Sequence, residues 1–250
     1  MRAGEAIGRR EAAAPRGGRA AAARIGRLLL DRALPATLIG LLAAIKGSLT
    51  VQAAANLTAV VAAAAWPAGL AAVAGAVLHL SVHALGLAYF GLTAVLFVVR
   101  LPRLGGRRRP LTVVVALFGA LALLAIGVLP GAQPHPAVDG LASVLLAAGL
   151  AYSIWALAHL NRSFSILPES RRLVCDGPYA LSRHPLYLGE GVASVGVLLP
   201  VAGPAALALW ALFMAAQLQR IRWEEAVLRD RFPAYEAYAR RVPRYLPFVA

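Results

Sequence analysis

Leu188–Gln219 reads LGEGVASVGVLLPVAGPAALALWALFMAAQLQ, and this stretch decides the fold. It is apolar over a length that would more than cross a bilayer, since about 20 helical residues span about 30 Å of hydrocarbon. Pro200 and Pro204, with Gly203 between them, break it near its middle. Proline removes a backbone donor and glycine weakens a helix, so the spacing predicts a helical hairpin. The first arm is only about a dozen residues and is too short to cross untilted. It is expected to be partly re-entrant and shielded by neighbouring helices.

The rest of the chain has the same character. Of 250 residues 60% are hydrophobic and only 14% charged, with a mean hydropathy of +0.70. Disordered chains and ordinary soluble domains are excluded, the latter being about 25% charged. Further spans are expected at Leu34–Ala54, Val77–Val99, Leu111–Leu129 and Leu141–Leu160. Leu57–Val73 is alanine-rich and interrupted by Trp66-Pro67. The expected fold class is therefore all-α, a polytopic membrane helix bundle of about five to six transmembrane helices with the C-terminal hairpin.

The arginines supply the topology. The net charge is +14, and Lys46 is the single lysine, an awkward charge inside the first span. The arginines fall into four groups: before residue 33, at 100–109, at 162–183 and from Arg220 to Arg244. Short arginine-rich segments stay on the cytoplasmic side, which places all four groups and both termini there, in the cell (inner) membrane. This requires two spans before residue 100, so Leu57–Val73 is a linker or an extension of the second helix. Attraction to anionic lipid accounts for the basic runs more simply than nucleic acid, and no nucleic-acid partner is expected. The expected organisation is a basic cytosolic arm over 1–32, N-terminal spans over 33–138 and a catalytic region over 139–250.

Polar residues concentrate at one end of the sequence. Seven of the 11 acidic residues lie in the last 90 positions, and only Asp139 lies between residues 33 and 160. Two mixed stretches, Asn161–Glu190 and Gln217–Pro247, flank the hairpin, and its closure should bring them together as a cytosolic cap. Asp176-Gly177-Pro178 and His184-Pro185 are turn signals that gather Tyr179, Arg183, His184 and Tyr187. Pro233 should split an amphipathic C-terminal run into two helices. Glu224 and Glu225 lie near a membrane boundary, where a carboxylate needs a partner or water. An ion pair to Arg220 or Arg229 at helical spacing is one way to supply it.

Leu173–Glu190, LVCDGPYALSRHPLYLGE, resembles the LV-x-x-G-x-Y-x-x-x-RHP-x-Y-x-G signature of the isoprenylcysteine carboxyl methyltransferase and phospholipid methyltransferase families. WEEAVL at 223–228, followed by FPAYEAYARRVPRYLP, is similar to their second motif. The resemblance covers residues 139–250 and implies an integral membrane methyltransferase that uses S-adenosyl-L-methionine. It implies that Leu173 and Val174 line the cofactor pocket and that Tyr179, His184 and Tyr187 hold the cofactor. Pro185 would shape the turn, Gly189 would permit close approach, and Glu224 would accept hydrogen bonds from the cofactor. Arg220 would face a substrate carboxylate. The resemblance also leaves Asn161–Pro168 folding over the site. Arg171 and Arg172 stand where some carboxyl methyltransferases have a histidine, a departure from the pattern.

The residue types suit methyl transfer. Displacement at a sulfonium carbon needs alignment and exclusion of water, and orientation can contribute about 7–11 kcal/mol. A carboxylate acceptor needs no base and is fixed by arginine, whereas an amine must lose a proton, to His184 or Glu225. The arginine tilts the expectation towards the carboxylate of an isoprenylcysteine-like or other hydrophobic acceptor drawn from the bilayer. A phospholipid amine N-methyltransferase is the alternative. Two other classes stay open: a scaffold that keeps the motifs only as a fold, and a haem or metal protein using His79 and His83, spaced i,i+4, with His159 as a third ligand. Neutral histidines bonded to neighbouring helices account for that pair more simply. Cys175 reads as a small filler beside the pocket, and His135 lies in a proline-rich loop.

Overall fold

The computed structural model describes residues 32–65, 69–102, 104–106, 110–131, 135–167 and 169–245. Seven α-helices follow one another among them. They are α1 (Leu34–Ala63), α2 (Leu70–Val99), α3 (Pro110–Gly127), α4 (Pro136–Leu160), α5 (Pro185–Leu198), α6 (Pro204–Arg231) and α7 (Tyr235–Arg241). The only described extended pairing is a two-residue antiparallel bridge, Gly105–Gly106 (β1) with Glu169–Ser170 (β2). Four helices are long and apolar enough to cross a membrane: α1, α2, α3 and α4.

The sequence boundaries need one adjustment. The alanine-rich stretch at 57–73 is neither a span nor a linker: its first part ends α1 and its last part begins α2. Each of these helices is longer than expected because alanine propagates a helix as readily as leucine, and the break lies between Ala63 and Leu70. Trp66-Pro67 itself is outside the described residues. Two long helices before residue 100 are what the arginine distribution required.

The proline-broken hairpin is present. Helix α5 stops at Leu198, Leu199–Val201 form one 3₁₀ turn, and Gly203 precedes α6, which has Pro204 in its first turn. The two arms do not pack mainly on each other. Helix α5 lies along α4, and α6 lies along α3. The α4–α5 contact is made at backbone distance by small residues, as in many membrane interfaces. A Cβ on Gly149 would stand 2.6 Å from the Gly189 carbonyl, and one on Gly189 would meet Ser153 and stand 2.9 Å from the Gly149 carbonyl. Gly189→Val should therefore force the helices apart and cost about 1–3 kcal/mol, seen as a lower thermal midpoint in detergent micelles. A midpoint equal to wild type would contradict this packing.

The helix ends meet at one pole, where arginine supplies the missing caps. Carbonyls in the last turn of a helix lack intrahelical donors. Arg32 donates to the Val98 carbonyl at 3.0 Å and the Arg100 carbonyl at 2.9 Å, and Arg162 Nε donates to Val99 at 2.9 Å. Arg171 donates to the Leu101 carbonyl. Three of the four arginine groups thus share one end of the bundle, with Arg32 the sole described residue of the expected basic arm. The fourth joins them through α6: the C-terminal half of that helix and α7 sit against the 177–184 loop, with Arg183 N–H donating to the Pro243 carbonyl at 2.9 Å and Tyr238 to the Tyr179 carbonyl at 2.7 Å. Pro233 splits the run as expected, α6 ending at Arg231 and α7 starting at Tyr235.

Candidate active site

A cavity of about 270 Å³ opens inside this pole and runs down between the helices. Its polar wall comes from both flanks of the hairpin: Tyr179, His184, Tyr187 and Glu190 from the first, Arg220 and Glu224 from the second. The turn at 177–180 and the proline-initiated α5 place the first group, and the polar half of α6 places the second. Gly177 has φ +55°, the left-handed conformation that glycine takes without strain. Phe164, Ser165 and Ile166 also line the cavity, so the segment after α4 does fold over it.

Arg220 is buried and held on several sides. One terminal nitrogen donates to Gln217 Oε1 at 2.5 Å and the other to the Ile166 carbonyl at 3.2 Å. Its guanidinium lies 5.1 Å from the centroid of the Tyr187 ring, a favourable cation–π placement. Gln217 donates in turn to Glu190 Oε2 at 2.6 Å, and Tyr89 of α2 donates to Glu190 Oε1 at 2.8 Å. Gly119 of α3 leaves room for this array, since a Cβ there would lie 2.9 Å from Gln217 Oε1. Among the described residues that line the cavity, Arg220 Nε and the Ser153 hydroxyl are buried without a hydrogen-bond partner, and Arg183 Nε is buried with the Tyr235 hydroxyl beside its side chain. Buried donors are rarely left so unless something else accepts from them.

The adjacent glutamates divide the work. Glu224 lines the cavity beside Tyr187. Glu225 turns away from it and is 1% exposed within a ring of cations. Arg183 donates to it at 2.9 Å, His184 Nε2 lies 3.2 Å away, Arg229 donates at 3.2 Å and Arg244 makes two bonds, the shorter 2.7 Å. Burial alone would raise its carboxyl pKa. The bonds from His184 and Arg244, with the charges of His184 and Arg183, outweigh that and hold it well below the usual carboxylate range. Arg229 thus provides the i,i+4 ion pair considered for this residue. Arg220 pairs with neither glutamate through a described hydrogen bond or ion pair.

Several of the residues named for the cofactor do not line this cavity. Val174 is buried in an apolar cluster with Ala156 and Tyr179, and Leu173 and Pro185 do not line the cavity. Gly189 contacts the α4 backbone, so its close approach serves helix packing. Cys175 is exposed and is not a filler. His79 and His83 stack edge to face 4.5 Å apart, while His159 lies at the other end of α4 against Trp155 and Gly177. No cluster of three His, Cys, Asp or Glu among the described residues could hold a metal ion. Sequence reasoning missed Glu190, Gln217 and Tyr89. An acidic residue in the apolar run beginning at Leu188 was the available signal, because an ionisable group there needs a partner or a task.

The sequence around this cavity is similar to known proteins. Residues 141–230 match the isoprenylcysteine carboxyl methyltransferase (ICMT) family. Protein-S-isoprenylcysteine O-methyltransferase B of Arabidopsis thaliana is 32% identical over 131 residues, which is 48% of this chain and 64% of the relative. The Schizosaccharomyces pombe protein-S-isoprenylcysteine O-methyltransferase is 34% identical over 38% of this chain and 43% of its own length. The cobalt-zinc-cadmium resistance protein CzcN of Cupriavidus metallidurans is 37% identical over 37% of this chain and 45% of its own. The chain therefore spans from 43% to 64% of these relatives. Among solved structures, the eukaryotic intramembrane Ras methyltransferase ICMT aligns over 72% of this chain and 74% of its own, with 20% identity and a TM-score of 0.38. Both signature stretches that build the polar wall, up to Asp230, fall inside the matched segment. The likeness to the isoprenylcysteine carboxyl methyltransferase family thus extends over residues 141–230, which carry most of the polar wall.

Proposed function

We propose that this protein is a membrane methyltransferase that moves the methyl group of S-adenosyl-L-methionine to a hydrophobic acceptor held between its helices. One observation carries the reading: a single cavity joins a polar wall built from both family motifs to an apolar interior built from the spans. The four long apolar helices among the described residues and the match to the family support a multi-pass membrane protein. The arginine-capped pole, with the catalytic region over 139–250, is the cytoplasmic one in this reading, and the bilayer is the source of the acceptor.

The residues present fit the methyl donor. Glu224 offers a carboxylate to an ammonium or to ribose hydroxyls, the rings of Tyr179 and Tyr187 offer apolar faces, and the Ser153 hydroxyl is buried on the lining without a partner. The donor supplies a methyl group already activated by the sulfonium. His184 positions the wall: its ring is fixed by Glu225 on one side and stands edge to face with Tyr187, 5.8 Å away, on the other. Leu173, Val174, Pro185 and Gly189 shape the loop and the helix start from outside the cavity. Glu224→Ala should weaken donor binding at least about tenfold, the worth of a hydrogen bond to a charged group, read by calorimetry on the purified protein. Unchanged affinity would remove Glu224 from the site.

Arg220 is the acceptor residue in this account. Its Nε donor is unspent, and it sits where the apolar part of the cavity meets the polar wall. A carboxylate oxygen bound there is oriented and shielded from water without any base, and an isoprenylcysteine-like carboxylate is the leading acceptor. Glu190 favours a second reading, a lipid amine. It places a carboxylate on the same wall, bonded to Tyr89 and Gln217, where it offsets the positive field of Arg220 and could draw a proton from an ammonium.

A further inference from the structure

The cavity is polar at the pole and apolar below it, with one exception at depth. One face of α2 lines it from Thr93 near the pole down to Val82, about 16 Å of helix at 1.5 Å per residue. At that lower level α1 contributes Lys46, the only lysine in the chain. Its stem does not turn outward to lipid. It lies across buried Gly86 of α2, where an added Cβ would stand 3.2 Å from Lys46 Cδ. Among the described residues no carboxylate pairs with Lys46. On α2, three residues before Gly86, Nδ1 of His83 is buried without a partner. A lysine that lines a largely apolar cavity at membrane depth, with glycine opposite to admit its stem and no carboxylate paired with it, calls for an acceptor atom for its ammonium.

We propose that Lys46 ends the acceptor channel and selects an acceptor whose apolar chain carries a second oxygen function, an anion or a carbonyl, at its far end. The proposal rests on the methyltransferase reading and adds the substrate class: a chain with a polar group at each end, one at Arg220 and one at Lys46. Among the hydrophobic carboxylate acceptors, this favours one with a polar far end over an unmodified isoprenoid, whose plain hydrocarbon tail would leave the ammonium desolvated without compensation.

Binding of paired probes to the full chain in detergent micelles tests this. Saturated monocarboxylic acids of ten to eighteen carbons are compared by calorimetry with the α,ω-dicarboxylic acids of equal length. In wild type, the diacid whose length spans the cavity should bind about tenfold more tightly than its monoacid, the discrimination expected of a hydrogen bond to a charged group. Lys46→Met should bring that ratio close to one, and Lys46→Arg should keep part of it. Gly86→Ala, which displaces the lysine stem without removing its charge, should shift the preferred length. Equal binding of both acids by wild type, or a preference that survives Lys46→Met, overturns the proposal. Methyl-donor affinity measured on the same samples confirms that the variants are folded. If wild type prefers diacids but binds no donor, the lysine site stands and the enzyme reading falls.

Discussion

Replacing Glu225 by alanine should lower stability by about 3 kcal/mol, at the low end of what breaking a buried ion pair costs. The variant would leave Arg183 and His184, 12% and 3% exposed, facing each other without a counter-charge. Arg229 and Arg244 reach solvent and soften the loss. A chain of this size should show a fall of roughly 6–12 °C in thermal midpoint. Because Glu225 ties α6 to the 183–184 turn and to Arg244, the polar wall should loosen with it and methyl-donor affinity should drop. The pH dependence has a definite sign. The carboxyl is held below its ordinary value of 4.5 in the folded state. Its contribution is therefore complete above that pH and is lost as the pH falls towards the folded value. Glu225→Gln should remove this part of the acid dependence, so that wild type and variant converge on acidification. A constant stability difference between pH 7 and pH 3 would contradict the role given to the cluster.

Arg220→Ala should reduce turnover by about a hundredfold or more, the scale of removing one preorganised donor at a reacting group. Its effect on donor affinity should be far smaller than that of Glu224→Ala. Arg220→Lys should not restore the rate. A lysine cannot serve Gln217 and the Ile166 carbonyl together while lying flat on Tyr187 and presenting a further donor to the cavity. Steady-state turnover and donor titration on the same preparations separate the two roles. A turnover within a few-fold of wild type would move the acceptor away from Arg220 and favour Glu190 as the group that handles it.

Most of the architecture was legible because hydrophobic length and charge placement are written along the chain. Two prolines and a glycine announced the hairpin, and the arginine groups required two spans before residue 100. Alanine blurred the helix ends, since it favours helix without marking which face is buried. The site was legible as two motifs and not as partners. Glu224 and Glu225 are adjacent, so only one can face a given cavity on a helix turning about 100° per residue. Which of them does so depends on the rotation of α6 against α3 and the 183–184 turn. The same holds for Glu190, Gln217 and Tyr89, whose meeting needs three helices in register. Close approach is what glycine permits, and the sequence does not say to what: at Gly189 the approaching atoms shown are those of α4.

In the function proposed here the pole and the cavity beneath it carry out one methyl transfer to a molecule drawn from the bilayer. Membranes containing the protein, incubated with S-adenosyl-L-methionine labelled in its methyl group and then extracted into organic solvent, test it most directly. Label should appear in the apolar phase and be released by mild base as methanol, as expected of a methyl ester, and it should be absent with Arg220→Ala. Base-stable label would transfer the assignment to an amine acceptor. Label no greater than in membranes lacking the protein, from a preparation shown to be folded, would contradict the account.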